Sequence, residues 1–140
     1  MTGRVVLDAS AAVRVVLQGL WQPELSAFLA ESPMVVAPGL LCAEVANSLW
    51  KYVRAGTLPA QEAQERLAEA LALADTLVPD RILVEEALAA ATQRNSPVYD
   101  LLYAVLARRH GATVVTADEP FARRLAAMEI ACFCPALQAG

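Results

Sequence analysis

Short, largely apolar runs alternate along the chain with longer segments in which apolar residues recur every three or four positions. The short runs have the length and composition of buried strands rather than of helices. They are Arg4–Leu7, Met34–Ala37, Thr76–Val78, Thr113–Val115 and Ile130–Phe133. Because the strands of a parallel sheet are covered on both faces, they are typically short and apolar throughout. The pattern therefore predicts an α/β protein of three layers, a central parallel sheet of about five short strands with helices on both faces.

The longer segments have the spacing and the end signals of helices. Proline lies at or just before the start of several of them, and Gly56 and Gly111 follow two others. Asp80 is expected to cap the helix that follows it. The predicted helices are Ser10–Leu17, Pro23–Glu31, Leu40–Arg54, Pro59–Ala74, about Ile82–Arg94, Ser96–His110 and Glu119–Met128. No linker or repeat interrupts this pattern, so we expect one domain over residues 1–140.

Composition is typical of a compact globular domain. Of the 140 residues, 57% are hydrophobic and 19% are charged, which is far too apolar for a disordered chain. The longest apolar runs, such as Leu101–Ala107, are much shorter than the roughly 18 residues of a membrane-spanning helix. Asp8 interrupts the run near the start that could belong to a signal peptide. An odd number of cysteines, three, agrees with a reducing compartment. We therefore expect a cytoplasmic protein without membrane association.

The apolar content also indicates an interface between copies of the chain. The mean hydropathy is +0.43, and a core of this size can bury only part of so many apolar residues. The alanine- and leucine-rich helices, together with Trp21 and Trp50, lead us to expect a homodimer.

Charge and residue types narrow the possible chemistry. The net charge of −4 argues against a protein that binds nucleic acid through bulk positive charge. His110 is the only histidine, so histidine pairs and two-histidine zinc sites are excluded. It precedes Gly111 at a predicted helix end, where a structural role is expected. No GxG sequence is present, so no nucleotide cofactor is expected. Catalysis would have to use carboxylates, hydroxyls or a metal ion.

Four acidic residues are candidates for a site. Asp8 and Asp118 follow the first and fourth predicted strands, at the edge where parallel sheets bind ligands, although each could be only a helix N-cap. Asp100 lies on an otherwise apolar helix face, so either a metal ion or a basic partner is plausible, unless it serves only the helix dipole. Glu44 lies on what resembles a solvated helix face, shared with Asn47, Ser48 and Lys51.

Four stretches of the chain resemble, in order, the four motifs of PIN-domain nucleases. They are VVLDAS at Val5–Ser10, AEVANSLW at Ala43–Trp50, VYDLLY at Val98–Tyr103 and VTAD at Val115–Asp118. One such motif would be a weak signal, whereas four in order on a matching α/β pattern are specific. The chain is most similar to the VapC-type toxin ribonucleases of prokaryotic toxin–antitoxin pairs.

The resemblance implies a metal-dependent endoribonuclease, the toxin of a type II toxin–antitoxin pair. In this family the acidic positions bind Mg²⁺ or Mn²⁺, and a VapB-type antitoxin covers the active-site groove of a usually homodimeric toxin. Such ions prefer oxygen ligands and activate water for cleavage of an RNA phosphodiester bond. The resemblance assigns catalysis and metal binding to Asp8, Glu44, Asp100 and Asp118. It assigns supporting polar roles to Ser10, Asn47 and Thr116.

Other functions stay open on the sequence alone. An RNA-processing nuclease without an antitoxin, or a non-catalytic binding module with the PIN fold, would have the same motifs. Phospho-acceptor domains also place an aspartate at a strand end, but the phosphatases among them need a second one where this chain has Ser10. Six cations could contact flanking phosphates or simply be solvated. They are Arg14, Lys51, Arg108, Arg109, Arg123 and Arg124.

Overall fold

Five strands form one parallel sheet in the computed structural model, which describes residues 3–17 and 22–138. The strands are β1 (Val5–Leu7), β2 (Val35–Pro38), β3 (Thr76–Val78), β4 (Thr113–Val115) and β5 (Cys132–Phe133). Their order in the sheet is β3-β2-β1-β4-β5, and all neighbours are parallel. The predicted α/β fold with about five short strands is confirmed.

The helices lie within a few residues of the predicted bounds. They are α1 (Ala9–Val16), α2 (Pro23–Glu31), α3 (Leu40–Arg54), α4 (Ala60–Leu71), α5 (Asp80–Arg94), α6 (Val98–His110), α7 (Glu119–Ala127) and α8 (Pro135–Gln138). The short α8 was not predicted. Trp21, on which the dimer prediction partly depends, lies outside the described residues.

The chain reverses its direction across the sheet between β1 and β4. It runs from β1 outward through β2 to β3, and it then returns to β4 on the other side of β1 and continues to β5. Because parallel connections are right-handed, the two halves of the chain place their helices on opposite faces of the sheet. Leu7 pairs with Val115, so β1 and β4 end level with each other. The switch point, where ligands bind in such sheets, is therefore at the carboxyl ends of these two strands.

Burial is deepest at the centre of the sheet and falls toward its edges. β1 and β2 are buried along their whole length. Seven consecutive residues of α6, Leu101–Ala107, are buried because this helix packs against β1, β2 and β4 and also against α5. The edge strand β3 departs from the expectation of uniformly buried strands, because Thr76 is exposed and Leu77 is 40% exposed. Among the helices that the structure describes, none is long and apolar enough to cross a membrane.

Asp80 caps a different helix from the one predicted. It is the first residue of α5, whose N-cap is Pro79. Its Oδ1 instead accepts a hydrogen bond of 3.0 Å from the backbone N–H of Leu40, in the first turn of α3. The N-cap of α3 is Gly39, which has no side chain to do this. Since β2 and β3 are neighbours that end level with each other, the starts of α3 and α5 lie side by side, and one can cap the other.

His110 has the structural position expected of it. It is the last residue of α6, and Gly111 ends the helix in the left-handed conformation with a φ of 59°. The Nδ1 atom of His110 lies 2.9 Å from Nη1 of Arg4, at the start of β1. The histidine therefore joins the end of α6 to the beginning of the first strand.

Candidate active site

Asp8 is held at the carboxyl end of β1 by three hydrogen bonds. It is the N-cap of α1, and its Oδ1 accepts from the backbone N–H of Ala11 at 2.9 Å and from the hydroxyl of Ser10 at 2.8 Å. Its Oδ2 accepts from the hydroxyl of Thr116 at 2.5 Å. A carboxylate has about four acceptor positions, so about one is left for a further ligand. Asp8 is nevertheless only 5% exposed.

The hydroxyls of Ser10 and Thr116 join the ends of β1 and β4. Ser10 Oγ accepts from the backbone N–H of Ala117 at 2.9 Å, and Thr116 Oγ1 accepts from the backbone N–H of Asp118 at 3.0 Å. Each hydroxyl therefore donates to Asp8 while it accepts from the loop after β4. Thr116 is completely buried, so this link is shielded from water.

Asp118 is a helix cap as well as a member of the same edge. It is the N-cap of α7, where its Oδ1 accepts from the backbone N–H of Phe121 at 3.0 Å, and it is exposed to solvent. Both Asp8 and Asp118 thus cap helices, which is the simpler of the two roles that the sequence analysis gave them. The capping bonds use only part of each carboxylate, so a helix cap and a ligand-binding group are compatible at both positions.

Burial raises the pKa of Asp8 from its ordinary value of 3.8 to about 6. The hydrogen bonds from Thr116, Ala11 and Ser10 favour the charged form and oppose this effect, while the negative charge of Asp118 adds to it. Loss of water around the carboxylate is therefore the dominant influence. A nearby cation would offset this cost directly.

Glu44 reaches the site from the second turn of α3 and is bound there by Tyr103 of α6. The Tyr103 hydroxyl donates to Glu44 Oε1 at 2.7 Å. Burial raises the pKa of Glu44, the Tyr103 hydrogen bond lowers it, and the negative charges of Asp100 and Asp80 raise it again. Burial and the adjacent Glu44 also raise the pKa of Tyr103 far above its ordinary value, so its hydroxyl stays a donor at any physiological pH.

Tyr103 is a residue of the candidate site to which the sequence analysis assigned no role. It is only 2% exposed, yet its hydroxyl faces the carboxylates. The signal was its position three residues after Asp100, on the same helix face. A tyrosine there is ordinarily part of the core, and only the tertiary contact with Glu44 distinguishes the two roles.

Asp100 has the basic partner that its apolar surroundings suggested. It lies in the first turn of α6 and forms an ion pair with Arg124 in the last turn of α7. The Arg124 guanidinium also lies 5.8 Å from the ring centroid of Phe121, which is buried. Both charged groups are partly exposed, so the pair is of the surface type and contributes little to stability.

All four predicted acids line one cleft of about 250 Å³. We call it the acid cleft. Thr116 is not in its wall but lies buried behind Asp8. The lining residues are Asp8, Ala9, Ser10, Glu44, Asn47, Ser48, Lys51, Asp100, Tyr103 and Asp118. The cleft thus brings together residues from the ends of β1 and β4 and from helices α3 and α6.

The donor atoms of the acid cleft fit a hard divalent cation. Carboxylate oxygens, with hydroxyl and amide oxygens beside them, are the ligands that Mg²⁺ and Mn²⁺ prefer. Within residues 3–17 and 22–138, however, no three acidic, histidine or cysteine side chains converge closely enough to hold a metal ion. Asp100 is turned toward Arg124 and Glu44 toward Tyr103, so metal binding would require these carboxylates to adjust.

The five-stranded order and the acidic switch point are those of a known class of protein. A family model described as PIN domain matches residues 5–125, and the chain belongs to this family. The chain is 31% identical over 132 residues to Ribonuclease VapC3 of Pyrobaculum aerophilum, a match that covers 89% of this chain and 97% of that protein. The resemblance drawn from the four motifs is thereby confirmed.

Three solved structures have the same fold. The structure of PAE2754 from Pyrobaculum aerophilum matches with a TM-score of 0.69 and 25% identity, covering 91% of this chain and 99% of that one. VapBC2 from Rickettsia felis, bound to a DNA fragment from their promoter, matches with a TM-score of 0.63 and 15% identity over 94% and 98% of the two chains. FitAcB from Neisseria gonorrhoeae matches with a TM-score of 0.63 and 18% identity over 94% and 97%. The last two matches concern the fold alone.

Proposed function

We propose that this protein is a Mg²⁺- or Mn²⁺-dependent endoribonuclease and the toxin of a type II toxin–antitoxin pair. The observation that carries the proposal is the acid cleft, which gathers four carboxylates from separate parts of the chain at the switch point of the sheet. The relative that is 31% identical is named a ribonuclease, which supports the same activity. The proposal includes a location in the cytoplasm, together with the RNA substrate.

Asp8, Glu44, Asp100 and Asp118 would hold the metal. The bound ion would lower the pKa of a water molecule and neutralise charge on the scissile phosphate. Ser10 and Thr116 keep Asp8 in place, and Tyr103 keeps Glu44 in place. Asn47 lines the cleft as a neutral side chain that can donate to a phosphate oxygen. This chemistry needs no histidine, in agreement with the position of His110 outside the cleft.

Cleavage of single-stranded RNA by the purified chain tests the proposal. Activity is expected in Mg²⁺ or Mn²⁺, and it should disappear with EDTA and in Asp8→Asn and Asp100→Asn. Glu31→Gln is a matched control, because Glu31 is an exposed acid on α2, outside the cleft and away from the exposed apolar side chains of α5. Activity that survives EDTA, or that persists in both aspartate variants, would contradict the mechanism. A folded, metal-binding chain that cuts no RNA would favour a binding module.

We further propose a homodimer that associates with a VapB-type antitoxin. Exposed apolar side chains on α5 and β3, namely Leu77, Ile82, Val84 and Leu88, support contact with a second copy. Trp50, which is 50% exposed in an apolar groove of about 220 Å³ between α3 and α4, supports the same contact. The acid cleft is the groove that the antitoxin would cover. Light scattering should give twice the chain mass of 14.9 kDa, whereas a monomer at all concentrations would refute the dimer.

A further inference from the structure

A second cleft lies directly beside the acid cleft, between α1 and α3. Its volume is about 440 Å³, compared with about 250 Å³ for the acid cleft. Ser10, Ser48 and Lys51 line both, so the two form one continuous depression. We call the second one the basic cleft. Its lining residues are Ser10, Val13, Arg14, Ser48, Lys51, Tyr52 and Ala55.

The two clefts are opposite in charge. Four carboxylates and one cation line the acid cleft, whereas two cations and no carboxylate line the basic cleft. An RNA chain carries a negative charge at every phosphate. The phosphates on either side of one that is bound in the acid cleft would therefore be repelled by carboxylates nearby. The basic cleft begins where the acid cleft ends, and its two cations would attract the neighbouring phosphate.

Arg14 and Lys51 are also distinguished from the other candidate cations by their lack of an acidic partner. Arg108 and Arg109 both pair with Glu86, Arg123 pairs with Glu119, and Arg124 pairs with Asp100. Over the described part of the chain, neither Arg14 nor Lys51 forms an ion pair. Within the described residues, the Nη1 of Arg14 donates a hydrogen bond of 3.5 Å to a neutral group, the Oε1 of Gln22. Both cations therefore keep their charge for a ligand.

The remaining walls of the basic cleft suit a nucleobase. Tyr52 is half-buried and presents an aromatic side chain, while Val13 and Ala55 are small and apolar. Bases stack on aromatic side chains in proteins that bind single-stranded nucleic acid, and this contact tolerates any sequence. The volume of about 440 Å³ lies within the range of small-ligand sites.

We propose that the basic cleft binds the nucleotide next to the scissile phosphate of a single-stranded RNA. Arg14 and Lys51 bind its phosphate, and Tyr52 stacks on its base. This inference rests on the proposed ribonuclease function and adds the direction in which the RNA leaves the acid cleft, between α1 and α3. Arg14 and Lys51 are substrate-binding residues in this arrangement and take no part in bond cleavage.

Fluorescence anisotropy with a short labelled single-stranded RNA tests the inference. The intact protein is titrated in EDTA, so that no RNA is cut, at several salt concentrations between about 50 and 200 mM. Arg14→Gln and Lys51→Gln should each weaken binding on the order of five- to tenfold, and each should lower the slope of log affinity against log salt by about 0.7. Arg108→Gln is the matched control, because Arg108 pairs with Glu86 outside both clefts.

Tyr52 is tested with two variants. Tyr52→Leu should weaken binding about tenfold with an unchanged salt slope, whereas Tyr52→Phe keeps the stacking contact and should bind like the wild type. If the wild type cleaves RNA but Arg14→Gln and Lys51→Gln retain its salt slope, the basic cleft is not the subsite and the ribonuclease proposal still stands. If the wild type neither binds nor cleaves RNA, both proposals are overturned.

Discussion

Replacement of Asp8 by asparagine is expected to stabilise the metal-free protein at neutral pH. Asparagine is as good an N-cap as aspartate, and its Oδ1 can accept from Ala11 and Ser10 as before. Its Nδ2 would face Thr116 Oγ1, which can accept once its own proton turns to Ser10 Oγ at 3.2 Å. The hydrogen bonds can thus be kept while the buried charge is removed.

The magnitude follows from the pKa of Asp8, which is about 6 in the folded protein and has an ordinary value of 3.8. Between these values the folded chain holds a proton that the unfolded chain has lost, so the free energy of unfolding falls as pH rises. The loss is nearly complete by about pH 7, one unit above the pKa in the folded protein. A difference of about 2.2 between the pKa values corresponds to about 3 kcal/mol. Asparagine does not titrate and should avoid this loss.

Urea unfolding in EDTA, from pH 4 to pH 8, measures the effect. The variant and the wild type should have similar free energies of unfolding near pH 4, and the variant should gain on the order of 3 kcal/mol by pH 7.5. Asp118→Asn is the matched control, because Asp118 also caps a helix after a strand but is exposed. It should gain far less, since its charge is only the smallest of the causes that shift the pKa of Asp8. A difference between variant and wild type that does not change with pH would refute the account based on burial.

Two further predictions concern the partners of the other acids. Tyr103→Phe removes the hydroxyl that is hydrogen-bonded to Glu44. The rate of RNA cleavage should therefore fall about tenfold, and the free energy of unfolding measured in urea should fall by about 1–2 kcal/mol. An unchanged cleavage rate would exclude a positioning role for Tyr103. Arg124→Gln removes the ion-pair partner of Asp100 and should tighten Mn²⁺ binding, measured by calorimetry, up to about fivefold. Arg123→Gln is the control, because Arg123 pairs with Glu119, and it should leave the affinity unchanged. Equal effects of the two variants would show that only the net charge of the protein matters.

The fold was predictable because its signals are local. Buried parallel strands are short apolar runs, and the helices between them begin and end at prolines, glycines and capping residues. The bounds of α2 and α3 were therefore correct. The prediction for Asp80 was wrong because its hydrogen bond is a long-range contact. Its partner Leu40 is 40 residues away in the chain, and only the adjacency of β2 and β3 brings the two together.

The sequence singled out the four acids that line the acid cleft, but it did not predict their hydrogen-bond and ion-pair partners. Asp8 and Asp118 stand at strand ends, and the four motifs add Glu44 and Asp100. The hydrogen bond from Tyr103 to Glu44 spans 59 positions, and Arg124 lies 24 positions from Asp100. Such pairs depend on how α3, α6 and α7 pack against one another. The spacing and composition of the sequence do not predict which side chains this packing brings into contact.

The four carboxylates can share one cleft because each is compensated from a different part of the fold. Hydroxyls and a backbone N–H hold Asp8, a tyrosine holds Glu44, an arginine holds Asp100, and a helix N-terminus holds Asp118. These compensations are unequal, since burial still raises the pKa of Asp8 to about 6. A cation that enters the cleft therefore gains most at Asp8, where the uncompensated cost of the charge is greatest and an acceptor position is left. Among the four acids, Asp8 is thus the one expected to contribute most to the proposed binding of a metal ion.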